Sequence, residues 1–423
     1  MWLNEVKGAF MRSALAVLVL TVPAGTALAQ ADNCRDCHMA IEDEDGPAHK
    51  SVRDIHIQKG LGCVECHGGD VSLEDMDEVR AAAGYRGVPT HRQVPQFCAR
   101  CHSDAAYMRG HNPALPTDQL DKYRTSVHGI RLFEHRDAKV ANCISCHSVH
   151  EIGDAKMPHS STHPANLAQM CGKCHSDADY MAEYGIPTTQ VEDYTGSVHG
   201  IALLERGDLG APACNDCHGN HGAAPPGVSS LSAVCGNCHA VESDYFDGSP
   251  HKAPFEELGF PMCETCHSNH AIVRPLDEMV GTSEPAVCLQ CHTADDGTVA
   301  FATADTISRA LGQLVAAHGG ADSLLSEAIE KGMMTTDEEF RLKEVRQALI
   351  QARTLVHSFD ADSVLPRVEL GLEKADIVKT NAAALIDEYY FRRKGLGFAT
   401  LFITVLVIAL YIKVRRVDRR LRS

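Results

Sequence analysis

Cysteine and histidine residues recur through much of the chain at one fixed spacing. Two cysteines stand three positions apart and a histidine directly follows the second, and this CxxCH pattern occurs nine times. The motifs, numbered here in chain order, are Cys34/Cys37/His38, Cys63/Cys66/His67, Cys98/Cys101/His102, Cys143/Cys146/His147, Cys171/Cys174/His175, Cys214/Cys217/His218, Cys235/Cys238/His239, Cys263/Cys266/His267 and Cys288/Cys291/His292. CxxCH predicts thioether attachment of a c-type haem, with the adjacent histidine as the proximal iron ligand.

Zinc ribbons are the alternative interpretation, because paired CxxC motifs are typical of them. Zinc gives no reason for a histidine after every second cysteine, and the nine motifs use all 18 cysteines. We therefore expect nine covalently bound haem c groups. They leave too few residues per haem for a core of side chains, so we expect the porphyrins to form the core. The fold class predicted is mainly α with much irregular structure.

The motifs belong to a repeat that reads CxxCH, then SxH, then CxxCHxxH. The SxH histidines are His128, His199 and His251, and the HxxH histidines are His150, His221 and His270. An HxxH histidine cannot reach the far face of its own haem, because the proximal histidine already holds the near face. We therefore expect all six to be distal ligands, with each HxxH histidine serving a haem from another motif. In the first repeat His56 best fills the SxH role, and His49 is its rival.

The remaining histidines are either further candidate iron ligands or residues that we do not expect to bind iron. His163, eight residues before Cys171, and His357, at the end of a predicted helix, are further candidate ligands. His49, His163, His318, a methionine or an open position all remain possible for two haems. The methionines concerned are Met108, Met181 and Met262. We expect His91, His111, His135 and His159 to lie at the surface or to make local hydrogen bonds.

Segments outside the haem region predict export and a membrane anchor. Residues 1–29 have a basic start, an apolar run and an Ala-Leu-Ala site, as in a secretion signal. Residues 395–412 carry no charge and are long enough to span a bilayer. Three basic residues precede this span and six lie in the tail, residues 413–423, which predicts a cytoplasmic C-terminus. The haem domain, residues 30–299, would then lie on the periplasmic side of the inner membrane.

Between these parts, residues 300–391 contain no cysteine and have helical periodicity. The sequence TDEE at residues 336–339 predicts a capping box, residues 360–363 a break, and Pro366 the first turn of the next helix. We expect a helical hairpin or small bundle that acts as a stalk or docking surface. The formal net charge of −17 argues against nucleic-acid binding and favours basic redox partners.

Several stretches resemble membrane-anchored multihaem cytochromes c with doubled CxxCH motifs: CARCHSDAAYMR, LPTDQLDKYRTSVHG, GDLGAPACNDCHGNHG, QARTLVHSF and RRKG. The resemblance implies a periplasmic electron carrier that works beside a cytochrome b, or another quinol-oxidising subunit, and exchanges electrons with the quinone pool. It also implies distal ligation by the SxH and HxxH histidines and by His357. The repeat is more distantly similar to multihaem nitrite and hydroxylamine enzymes, but the CxxCK motif of many nitrite reductases is absent.

Three classes of function fit these features. The first is an electron carrier with six-coordinate haems. The second is an oxidoreductase in which one five-coordinate haem, at the first or ninth motif, acts on a nitrogen or sulfur oxyanion. The third is a docking subunit in which the helical region matters more than the haems.

Overall fold

The computed structural model describes residues 32–222 and 231–422. The predicted secretion signal lies outside the described residues. The described chain contains helices joined by irregular loops and no strand, so the predicted fold class is confirmed. It divides into two compact units, residues 1–90 with 149–152 and residues 91–148 with 153–423.

The first unit contains five short helices and two CxxCH motifs. The helices are α1 (Asn33–Ile41), α2 (Pro47–Ser51), α3 (Ile55–Gln58), α4 (Cys63–His67) and α5 (Met76–Ala81). Asp54 connects residues 149–152 to the rest of this unit. Its carboxylate caps α3 and also accepts a hydrogen bond from the backbone N–H of Ile152 at 2.8 Å.

The haem-binding part of the second unit is a succession of short helices. They are α6 (Val94–His102), α7 (Ala105–His111), α8 (Gln119–Thr125), α9 (Val127–Phe133), α10 (Cys143–His147), α11 (Pro164–His175), α12 (Ala178–Ala182), α13 (Gln190–Thr195), α14 (Val198–Gly200), α15 (Cys214–His218), α16 (Ala240–Asp247), α17 (Lys252–Leu258) and α18 (Glu264–His267). Shorter turns are the 3₁₀ segments His91–Gln93, Leu231–Asn237, Asp277–Met279 and Val287–Gln290 and the π segment Ile201–Glu205. Two small apolar clusters, around Leu132 and around Leu203, lie among these helices.

Contacts at the start of α9 explain why serine and glycine occur in the sequence SVHG. The Ser126 hydroxyl donates to the carbonyl of Tyr123 at 2.7 Å and accepts from the backbone N–H of Gly129 at 3.0 Å. A Cβ on Gly129 would lie 1.8 Å from that same carbonyl oxygen. Serine therefore caps the helix, and glycine is needed because two backbone segments touch. Equivalent bonds and the same close approach occur in the next repeat at Tyr194, Ser197 and Gly200.

Three long helices follow and pack together as a bundle: α19 (Ala300–Glu330), α20 (Thr336–Leu355) and α21 (Ala361–Arg422). Their shared core includes Leu311, Leu314, Val345, Val364 and Val378, each no more than 1% exposed. Burial of these apolar side chains stabilises the bundle, and this contribution does not depend on haem. This is the small bundle that the sequence predicts.

Three details of the predicted helices need correction. Thr335 and not Thr336 is the N-cap residue of α20, and its hydroxyl bonds to Glu339 at 2.6 Å. Pro366 lies beyond the first turn of α21, because the Asp360 carboxylate caps that helix one turn earlier by accepting from Asp362 and Ser363. The bundle helix also continues through residues 392–394 into the apolar span without a break.

The apolar end of α21 is fully exposed. It is long and apolar enough to cross a membrane, and none of its most apolar stretch is buried against the rest of the protein. Tyr389 and Tyr390 lie just before the span, where Lys331 sits over both rings at 5.5 and 5.3 Å. Aromatic and basic residues are typical of the membrane–water interface.

Candidate haem sites

The proximal histidines lie opposite histidines from other parts of the chain. In the pairs among the described residues given below, the ring centroids lie between 5.7 and 6.2 Å apart. The pairs are His67–His150, His147–His221, His175–His128, His218–His270, His239–His199, His267–His357 and His292–His251. Each pair joins one CxxCH histidine to one histidine that the sequence marks as a candidate distal ligand.

The separation fits a haem iron between the rings. Two imidazoles on opposite faces of one metal ion, each with a metal–nitrogen distance of about 2 Å, have centroids about 6 Å apart. Near-parallel rings stacked in direct contact, unlike His147 and His221, would lie closer together. The residues therefore fit bis-histidine ligation, and ligation itself stays a prediction.

The pairs follow one rule along the chain. Each SxH histidine lies opposite the first motif of the next repeat, as His128 does with His175. Each HxxH histidine lies opposite the second motif of the preceding repeat, as His221 does with His147. His357, from the bundle, takes the place that a further repeat would fill opposite His267. From the second repeat to the fourth, successive repeats are therefore linked by histidine pairs in both directions.

A backbone reversal directs each HxxH histidine away from its own motif. The residue after the proximal histidine has a positive φ in the fourth, sixth and eighth motifs, at Ser148 (63°), Gly219 (75°) and Ser268 (65°). The left-handed conformation ends the CxxCH helix at the proximal histidine. The chain then turns back, and the histidine three residues on reaches a different motif.

Hydrogen bonds set the tautomer at four of these histidines. The Nδ1 atom of His67 bonds to the carbonyl of Gly87 at 2.9 Å, and that of His357 to the carbonyl of Thr354 at 3.0 Å. A carbonyl can only accept, so Nδ1 carries the proton and the lone pair is on Nε2, the tautomer that binds a metal through Nε2. At the first and ninth motifs the acceptor is a carboxylate, of Glu42 at 2.5 Å from His38 and of Asp296 at 3.1 Å from His292.

Burial also favours the neutral imidazole. It lowers the pKa of His128, and likewise the pKa of His221 and His147, below the ordinary histidine value. Desolvation is the main cause, because a charged ring loses more by leaving water than a neutral one. A neutral ring is the form that binds a metal.

The cysteines of successive motifs are close enough to perturb one another's pKa. Among the first cysteines, Cys98 perturbs the pKa of Cys143, and the same holds for Cys171 with Cys214 and Cys235 with Cys263. A cysteine of the following motif raises the pKa of a second cysteine, as Cys174 does for Cys146, Cys235 for Cys217 and Cys288 for Cys266. All eighteen cysteines are described and none forms a disulfide. Each motif from the third to the eighth therefore has the next motif of the chain as a neighbour.

The second cysteines differ in how far the protein chain alone covers them. The side chains of Cys37, Cys66, Cys238 and Cys291 are exposed, and that of Cys101 is partly buried. At the fourth and eighth motifs the protein buries the second cysteine, Cys146 or Cys266, more deeply.

Cys238 lies near Cys217 of the preceding motif, and Cys37 lies near Cys34 of its own motif. The backbone carbonyls of Cys66 and Cys101 accept from the Arg86 guanidinium at 3.0 Å and from the N–H of Asp104 at 3.0 Å. Haem attachment at all eighteen cysteines rests on the CxxCH spacing and stays a prediction.

An open cleft lies beside the eighth motif. Its walls include Cys266 and His267 together with apolar side chains from Val273, Leu276 and Val287. A mostly apolar wall next to the attachment cysteine is what a porphyrin ring requires.

Two candidate ligands have other hydrogen bonds. His163 is buried, and its Nδ1 accepts from the backbone N–H of Ala165 at 3.3 Å as the cap of α11. That bond puts the ring proton on Nε2, so His163 in this position does not offer the lone pair that iron needs. His49 bonds through Nε2 to the carbonyl of Met39 at 3.2 Å.

His56 has the opposite arrangement. Its Nδ1 lies 2.9 Å from the Asp54 carboxylate, which places the ring proton on Nδ1 rather than on Nε2. Its role as a distal ligand stays a prediction. Met108 and Met181, at equivalent positions of two repeats, are buried and serve as packing residues.

Sequence reasoning missed two kinds of residue at these sites. The acidic residue four positions after the proximal histidine was visible in CHMAIE and CHTADD but was not recognised as a hydrogen-bond acceptor. Phe359, whose ring centroid is 4.0 Å from that of His251, is far from it in sequence, and no motif marks the contact.

Two family models match the chain. The model described as "Doubled CXXCH motif" matches residues 253–297, and the model described as "Cytochrome c7 and related cytochrome c" matches residues 23–103. Together they include five of the nine motifs, at both ends of the haem region. No curated protein and no solved structure matches the chain.

Proposed function

We propose that this chain, a multihaem cytochrome c with doubled CxxCH motifs, is a membrane-anchored carrier that moves electrons along nine covalently bound haems. Electrons would pass between the quinone pool, through a cytochrome b or another quinol-oxidising subunit of the inner membrane, and acceptors in the periplasm. The observation that carries this proposal is that cysteines of successive motifs, from Cys98 to Cys288, lie near one another.

Bound haem would supply an iron that alternates between two oxidation states. The chain's own residues attach it, orient it and close its coordination sites. In this proposal the seven distal ligands are His150, His221, His128, His270, His199, His357 and His251, serving motifs two and four to nine in chain order of the motifs. His49, His56 and His163 stay candidates for the first and third. A six-coordinate iron has no free site for a substrate, which favours electron transfer over catalysis.

The interlocked pairing explains why electrons could travel far. Each distal histidine ties one haem to the backbone that carries another, so neighbouring haems are held at fixed separations. Haems held rigidly by the protein undergo little structural reorganisation when an electron is transferred.

Carbon monoxide binding tests the proposal, because it reports iron with an open or weakly held distal site. The fully reduced, detergent-solubilised protein is titrated with the gas while the Soret band is followed. A carrier binds it at few of the nine haems. Binding at most of the nine would contradict bis-histidine ligation.

The partner is tested by isolating the native complex. We expect mild solubilisation to retain a cytochrome b or another quinol-oxidising subunit, and quinol to reduce the haems of that complex but not of the isolated chain. Reduction of the isolated chain by quinol at the same rate would contradict the need for a partner.

A second function rests on the first motif. Among the described residues no imidazole ring is paired with His38, whose side chain is 48% exposed and bonded to the Glu42 carboxylate. A carboxylate behind a proximal histidine strengthens its donation to iron, as suits a haem that binds and reduces a ligand. This candidate is an oxidoreductase acting on a nitrogen or sulfur oxyanion at one five-coordinate haem. Rapid oxidation of the reduced protein by nitrite or sulfite, lost on blocking one carbon monoxide site, would favour it.

A further inference from the structure

The turn between α20 and α21 contacts two haem sites at once. It comprises the 3₁₀ segment Val356–Ser358 and Phe359. His357 lies opposite His267, with centroids 6.0 Å apart. Two residues later the ring of Phe359 lies against His251, with centroids 4.0 Å apart and planes at 51°. The same turn thus reaches the distal side of the eighth site and of the ninth.

Phe359 adopts an unusual backbone conformation to make this contact. Its φ of 52° and ψ of 31° are left-handed, a region that a bulky side chain rarely enters. Strain of this kind persists where the surroundings hold the residue in place, and it is concentrated at functional sites. Phe246 provides part of that hold, with its ring edge-on to Phe359 at 6.4 Å.

His251 lacks the hydrogen bond that orients a typical metal-binding histidine. Its Nδ1 atom is buried and has no partner among the described residues. A ligating histidine ordinarily donates this N–H to an oxygen, as His357 and His292 do here. Packing must therefore fix the ring of His251. Phe359 and Phe255 are the rings against it, at 4.0 and 5.8 Å.

The orientation that results differs from that of other pairs. His251 and His292 are nearly perpendicular, at 83°, whereas His147 and His221 are within 9° of parallel. Perpendicular imidazoles leave two iron d orbitals nearly equal in energy. Low-spin ferric haem then has a far more anisotropic EPR signal than it has between parallel rings.

We propose that Phe359 is a positioning residue that holds His251 at right angles to His292 across the ninth haem. The inference rests on the proposed bis-histidine ligation of that haem. It assigns a role at a redox centre to a residue that touches neither iron nor any CxxCH motif.

The test uses variants of the full-length holoprotein in detergent. Phe359→Leu removes the ring. Phe359→Gly removes the ring and also relieves the backbone strain, so it separates packing from strain. Phe359→Tyr keeps the ring and serves as the conservative variant. Phe340→Leu is the matched control, because Phe340 lies in the same bundle with its side chain 64% exposed. His251→Ala identifies the EPR signal of the ninth haem as the one it abolishes.

We expect Phe359→Leu and Phe359→Gly to shift or broaden that one signal, with the haem content unchanged. Phe359→Tyr and Phe340→Leu should retain the signal of the unchanged protein. A retained signal in Phe359→Leu overturns the inference and leaves the bis-histidine haem intact. Loss of haem from both ring-deleting variants also overturns it, because Phe359 would then serve folding alone. A ninth haem that is high-spin in the unchanged protein contradicts the proposed ligation itself.

Discussion

The imidazole rings of His147 and His221 lie 6.0 Å apart and within 9° of parallel, although the two residues belong to different CxxCH motifs. His221 is only three residues from His218, the proximal histidine of its own motif. The ring of His221 nevertheless lies opposite that of His147, the CxxCH histidine of another motif. A short sequence spacing therefore produces a long-range connection.

Replacement of His221 by alanine should open one coordination site. We expect the His221→Ala protein to keep its full haem content, because no cysteine changes. The haem attached at Cys143 and Cys146 should become high-spin and bind carbon monoxide, as measured by absorption and EPR spectroscopy. His159→Ala is the control, since His159 is exposed and is in no ring pair among the described residues. An unchanged low-spin spectrum in His221→Ala would remove His221 from the ligand set.

Replacement of His357 by methionine should change a potential rather than open a site. Methionine opposite histidine stabilises the reduced iron, so the potential of the haem attached at Cys263 and Cys266 should rise. Potentiometric titration would detect one component moving upward among the nine. His318→Met, in α19 of the same bundle, should leave all potentials in place. Equal titrations for His357→Met and the unchanged protein would contradict the assignment.

Replacement of Gly200 by alanine should disturb the SVHG turn. The added Cβ would lie 2.0 Å from the carbonyl oxygen of Tyr194, so the backbone must move. We expect a loss of about 1–3 kcal/mol in the free energy of unfolding, and weakened pairing of His199 with His239. Gly196→Ala is the control, because its nearest contact would be an ordinary 3.7 Å. Thermal unfolding and carbon monoxide binding measure the two effects, and equal behaviour of both variants would disprove the steric argument.

Nine covalent haems are expected in the mature chain. Intact mass spectrometry of protein made in a host with a complete haem-attachment system should give the polypeptide plus nine haem masses, starting near Gln30. The cysteines of each motif offer an internal check, since Cys288→Ala with Cys291→Ala should remove one haem mass. A consistent total of eight in the unaltered protein would show that one CxxCH is not a haem site.

The orientation in the membrane follows from charge. Six basic residues follow the apolar span and three precede it, so a tag after Ser423 should be cytoplasmic and protected from protease in spheroplasts. The haem domain should be digested in the same sample. Digestion of the tag with survival of the haem domain would reverse the assignment.

Local chemistry explains what could be predicted from the sequence. CxxCH and HxxH place particular side chains a few residues apart, so their use can be argued without a fold. Which CxxCH histidine lies opposite His128 or His270 depends on how successive repeats pack. No local sequence spacing determines that packing. The contact of Phe359 with His251 is of the same kind. Helix ends were predictable to within a turn, because Thr335 and Thr336 are both suitable caps and tertiary packing chooses between them.

The continuity of α21 was the second feature that the sequence alone did not determine. Residues 392–394 are charged and Gly395 and Gly397 follow, a composition that suits a boundary as well as a helix. The structure continues α21 through them, since glycine in a helix costs only about 1 kcal/mol and long packed or apolar stretches lie on both sides.

The length of the bundle limits how electrons can reach the haems. In α21, residues 361–394 precede the apolar span, and at a rise of 1.5 Å per residue they extend about 50 Å. The turn that contacts His251 and pairs with His267 lies at the far end of this rod. An upright rod would hold the eighth and ninth haems tens of ångströms above the lipid, far beyond direct tunnelling from a quinol. If electrons come from the quinone pool, as proposed, they would reach these two haems of an upright rod through redox groups nearer the lipid, on this chain or on a partner.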